Sequence, residues 1–146
     1  MNDADPYIKA VADACTAAGL YVVEWWTDDI DPRDGGIDLV TTAGADPEDW
    51  DKSRTLGWNE ERGWLIGRPK GPHGELTGIL YLCGSALPAP ADVAEQARRV
   101  IAGEISRDEK YAMMQPAHWR DQDDEDDFEE QLDVYRRAAG TEMADG

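Results

Sequence analysis

Leu56-Gly57-Trp58-Asn59-Glu60-Glu61-Arg62-Gly63-Trp64-Leu65-Ile66 is the stretch on which the fold turns. Its flanks are apolar and its middle is polar, the pattern of two strands joined by a solvated turn, so residues 54–68 read as a hairpin. Trp58 and Trp64 are spaced to face each other across it, a cross-strand aromatic pair worth roughly 0.5–1 kcal/mol. Downstream, after the turn-forming run Pro69-Lys70-Gly71-Pro72-His73-Gly74, residues 76–82 supply another strand. Upstream, residues 36–42 alternate, with Ile37 and Leu39 on one side and Asp38 and Val40 on the other. Before them, residues 20–26 are rich in branched and aromatic side chains that suit a pleated surface, with Glu24 marking a wetted face. Strands in succession with short loops predict an antiparallel meander of four to five strands.

Helices flank this sheet at both ends. Asp5 reads as an N-cap, Pro6 as the first helical residue, and Ile8, Val11, Ala12 and Cys15 as one apolar face ending at Gly19. Beyond residues 84–90, Val93, Ala97, Val100 and Ile101 form the stripe of a second helix that Gly103 stops. The expected fold is α+β, with both helices packed on one face of the sheet.

Charge divides the 146 residues unequally: residues 1–103 carry 18 acidic and 9 basic groups, whereas residues 104–146 carry 14 and 5. The expected organisation is an α+β domain over 1–103 and an acidic tail over 104–146, the tail depending on the body for order. Within the tail, Phe128, Leu132 and Tyr135 recur at helical spacing, a narrow stripe that either docks on the body or orders on a partner. A net charge of -18 disfavours direct contact with nucleic acid or anionic lipid. No run approaches the roughly 18 apolar residues of a membrane span, and the acidic first residues are unlike a signal peptide, so a cytoplasmic location is expected.

No catalytic constellation stands out. With 32 carboxylates, close acidic pairs arise everywhere, so spacing identifies no acid/base pair. His73 and His118 lie far apart, Cys15 and Cys83 are too few and too distant for a disulfide framework or a metal knuckle, and no serine has a nucleophile-elbow context. The acidic loop from Asp29 to Gly36 fails as a calcium loop because Arg33 and Val40 fall where oxygen ligands are required. No cofactor is expected. Arg68, Lys70 and His73 form a locally basic loop that could hold an anion. Six tryptophans against one phenylalanine is an unusual ratio, and Trp25 and Trp26, adjacent in a strand, must point to opposite faces. A tryptophan left at a surface is a frequent binding anchor, and the alternative for the outward one is cover by the tail or by a helix.

The helix ending at Gly19, the Trp25-Trp26 strand with its Asp31-Pro32-Arg33-Asp34 loop, and the hairpin from Leu56 to Trp64 together resemble a family of small actinobacterial proteins of unknown function. The resemblance covers residues 5–103 and implies an intracellular bacterial or mobile-element origin without supplying an activity. The functional expectation is a non-enzymatic intracellular protein-binding or regulatory module, with Trp25, Trp26, Phe128, Leu132 and Tyr135 as candidate partner contacts and homodimerisation as one form of association. An acidic nucleic-acid mimic that occupies a basic DNA-binding protein, and a small-ligand-binding domain, are the alternatives.

Overall fold

The computed structural model describes residues 5–28, 34–46, 48–70, 75–82 and 87–114, with positions 130, 132, 134 and 135. Helix α1 (Asp5–Ala17) leads through Gly19, at φ 90°, into strand β1 (Tyr21–Asp28). β2 (Asp34–Val40), β3 (Ser53–Asn59), β4 (Gly63–Pro69) and β5 (Leu76–Leu82) follow, and the sheet order is the sequence order, antiparallel throughout. Helix α2 (Pro90–Ala102) closes on Gly103, whose left-handed φ of 73° lets its N–H reach the last carbonyls of the helix. This is the expected α+β fold, with five strands.

Turn chemistry explains the central hairpin. The Asn59 side-chain oxygen accepts from the backbone N–H of Glu61 at 3.0 Å and of Arg62 at 2.7 Å, and Gly63 takes φ 80°, which restarts the ladder opposite Asn59. Trp58 and Trp64 then fall in register, as the spacing predicts. β2 begins two residues earlier than the alternation over 36–42 indicates, because Asp34 and Gly35 pair with Asn59 and Trp58; past Val40, the Thr41 N–H still donates to the Lys52 carbonyl opposite it, at 2.8 Å, where the 3-10 turn takes over from β3.

Both helices lie on one face. α1 packs on β1 and β2, and α2 on α1 and β5. The core between helices and sheet takes Ile8, Val11 and Cys15 from α1, Val93 and Ala97 from α2, and Ile37, Leu56, Trp64, Ile66 and Leu82 from the strands. Tyr7 is its polar pivot: its hydroxyl accepts from the Trp64 indole N–H at 3.0 Å and donates to the Pro88 carbonyl at 2.6 Å. Its ring lies 5.8 Å from that of Trp58 and 6.1 Å from that of Trp64, tilted in the geometry aromatic quadrupoles favour. Asp5, read from the sequence as the cap, is the first residue of α1, and its carboxylate accepts the Thr27 hydroxyl of β1, which ties the helix start to the sheet edge.

Beyond residue 103 lies an element whose few apolar residues form no helical stripe. Helix α3 (Arg107–Ala112) is capped by Ser106, whose side chain accepts from the Glu109 N–H at 3.1 Å, the S-x-x-E signature of a capping box. The Met113 carbonyl after it accepts the Tyr81 N–H at 2.6 Å and so occupies part of the outer edge of β5. Leu132 is 1% exposed and belongs to the core, and Tyr135 meets Tyr7 edge-on at 4.9 Å. Of the two roles open to the Phe128, Leu132 and Tyr135 stripe, Leu132 and Tyr135 take the docked one, because the apolar ground between α1 and the sheet extends to meet them. Phe128 lies outside the described residues.

Candidate functional site

The sheet face opposite the helices decides what this fold can offer a ligand. Register sets its rows. Trp26, Gly36, Gly57, Leu65 and Tyr81 line up across the five strands, and the next row holds Glu24, Asp38, Thr55 and Gly67. A bulge controls what β1 contributes: Val22 pairs with Leu39 and Glu24 with Asp38, leaving Val23 as an extra residue. Val22 therefore joins the helix side with Trp25, which pairs with Ile37, while Glu24 and Trp26 turn to the open face. The two adjacent tryptophans part as strand alternation requires, and both keep surface: 37% for Trp25 and 41% for Trp26.

Glycines make room for the open-face side chains. A Cβ at Gly36 would fall inside the indole of Trp26 and 2.8 Å from the Leu56 carbonyl oxygen, so the ring lies over bare backbone. Its neighbour Gly35 serves the other side, where a Cβ would come within 3.3 Å of Ile8 on α1. Trp26 becomes the common wall of two recesses. One of about 300 Å³ is bounded by Val23, Glu24, Asp38, Trp50 and Leu76, and one of about 290 Å³ by Asp34, Asn59, Arg62, Leu65 and Tyr81. Trp50 stands on the 3-10 turn Trp50–Lys52 and is 42% exposed. Thr55 and Leu76 border both recesses, which makes them halves of one groove.

Electrostatics sharpen the picture. Glu24 stands directly opposite Asp38, and Asp28 directly opposite Asp34, so two carboxylate pairs bracket the Trp26–Gly36 pair. Like charges so placed are unfavourable. Burial pushes the Asp38 carboxyl above the ordinary range, the Thr55 hydroxyl at 3.0 Å pulls it back, and Glu24 pushes it up again. Asp34 is raised by burial and then by Asp28.

Arg68 is exposed on β4, where it repels Arg54. The Arg54 guanidinium has its pKa lowered chiefly by burial and then by that repulsion. Lys70 follows the strand, its backbone N–H donating to the Glu75 carbonyl at 2.8 Å, and His73 lies outside the described residues. The structure thus brings Arg54, which sequence spacing did not single out, beside Arg68. Cys15 is a buried thiol pushed up to about 12 by desolvation. Among the described residues no group of three or more His, Cys, Asp or Glu side chains could hold a metal, and no helix is long and apolar enough to cross a membrane.

A model of a family of unknown function matches residues 7–99, from α1 through most of α2. No curated protein and no solved structure matches the chain.

Proposed function

The chain belongs to this family of unknown function (DUF6292), and from that premise we propose that it is a non-enzymatic intracellular module whose open sheet face, centred on Trp26, receives a protein partner. The observation that carries this reading is the large indole of Trp26, 41% exposed over Gly36 and flanked by Trp50 across a groove. Tryptophan supplies much contact area at little side-chain entropy, and exposed apolar ground rimmed by polar residues is the usual ground for association. Backbone beneath the ring fixes its position before a partner arrives, which lowers the cost of binding. The net charge of -18 supports a partner other than nucleic acid or an anionic membrane, and a second copy of the chain is one form such a partner could take.

The test is a pair of baits, wild type and Trp26→Ala/Trp50→Ala, presented to a bacterial lysate at matched concentration. The double variant should lose a specific protein while keeping the wild-type unfolding midpoint. Retention of every captured protein would remove the open face from the reading.

The recess of about 300 Å³ favours a second reading, a small-ligand-binding domain. Saturable binding of a small metabolite that Trp26→Ala abolishes would distinguish it. An acidic mimic of nucleic acid draws only on net charge, and its affinity for a basic DNA-binding protein would fall steeply with salt.

A further inference from the structure

We infer that the recess between Trp26 and Trp50 takes the cationic head, guanidinium or ammonium, of a side chain on a basic segment of the protein partner. This deepens the open-face reading and rests on it. Four observations converge on the recess. Its walls are two half-exposed indoles, Trp26 from β1 and Trp50 from the 3-10 turn. Two carboxyls line it, Glu24 and Asp38, directly opposite each other, where they repel as like charges and also share a side-chain hydrogen bond that holds the Asp38 carboxyl up. Thr55 donates one hydrogen bond to Asp38 at 3.0 Å, and beside that bond and the one shared with Glu24 the carboxyl oxygens keep lone pairs for a further donor. Arg54, the one cation bordering the recess among the described residues, gives Nη1 to the carbonyls of Asp51 at 3.0 Å and Ser53 at 2.7 Å.

An organic cation answers each feature. Seated between the indoles it gains the attraction of their negative ring faces, and on the carboxylates it gains charge-assisted hydrogen bonds while relieving their repulsion. A hard metal ion fits less well, since it asks for six to eight oxygens and two carboxylates beside indoles supply few. The second pair, Asp28 with Asp34, lies on the far side of Trp26 and extends the negative field along the groove, which favours a segment carrying more than one positive charge. At -18 overall, the chain also steers basic partners toward itself from a distance.

Two blocked tripeptides test this on the full chain: Ac-Ala-Arg-Ala-amide and its citrulline counterpart, which has nearly the same shape without the charge. Binding is read by calorimetry and by the indole N–H signals, assigned with Trp26→Phe and Trp50→Phe. The arginine peptide should shift both indoles saturably and bind at least ten-fold more tightly than the citrulline peptide. E24Q and D38N should each weaken it several-fold while leaving the citrulline peptide unchanged. D38N keeps an oxygen for Thr55, and Glu24 is exposed, so both variants retain the fold, which their unfolding midpoints verify. Equal affinity for the two peptides, or shifts confined to other tryptophans, would overturn the cation site. So would the absence of saturable binding. If both peptides bind equally at Trp26, the open face survives as a docking surface while the cation site does not. If neither binds, the cation site fails and the bait experiment alone judges the surface.

Discussion

Leu132→Ala measures how far the core reaches beyond the acidic boundary at residue 103. Leu132 is 1% exposed among residues of α1, α2 and the sheet. The substitution removes three carbons, and at about 0.8 kcal/mol per buried carbon the lost transfer term is about 2.4 kcal/mol. The space left behind adds to this, which places the total within the roughly 2–5 kcal/mol of buried leucine truncations. Val134→Ala, two residues on and 59% exposed, is the control and should stay within about 0.5 kcal/mol of wild type. Urea unfolding followed by tryptophan fluorescence gives both values, provided the m-value is unchanged. A Leu132→Ala chain within about 0.5 kcal/mol of wild type would refute the burial. It would return residues 104–146 to the role of an appendage on an independently stable body.

Tyr7→Phe should cost about 2–4 kcal/mol, because it leaves the Trp64 indole N–H and the Pro88 carbonyl without the hydroxyl that joins them; a loss below about 0.5 kcal/mol in the same urea assay would show that water replaces it. Asp38 has a raised carboxyl, so the folded state holds its proton more tightly than the unfolded chain and that contribution is lost as pH rises through the folded value. D38N should accordingly be more stable than wild type at pH 7 and converge on it below the ordinary aspartate range, near pH 4, in thermal melts; a difference independent of pH would contradict the shift. Cys15, buried with its thiol pushed up to about 12, should resist iodoacetamide at pH 8 in the native protein and react once unfolded, as peptide mass spectrometry at that site would record. Modification at the rate of an exposed thiol would contradict its burial.

How far each feature could be read in the chain follows the range of the forces that set it. Turn and cap chemistry acts over a few residues, which is why Asn59 and Gly63, Gly19 and Gly103 mark the hairpin and both helix ends without knowledge of the rest. The capping box at Ser106 and Glu109 is equally local, so α3 was legible there, although its few apolar residues give no stripe. The candidate site was visible only in part. Exposure of one tryptophan follows from strand alternation, but Trp50 gave no signal by its spacing, and the facing of Glu24 with Asp38 depends on the bulge at Val23.

What the sequence determined by itself was therefore the class of fold: five apolar strand segments and two amphipathic helices with their punctuation, because periodicity and turn residues report on backbone geometry close at hand. Only the tertiary structure decided which tryptophan overlies Gly36, which carboxylates confront each other, and that Leu132 completes a core built largely before residue 103. Those outcomes depend on register and on contact between segments far apart in the chain, where burial is shared among many side chains and no short stretch carries the information.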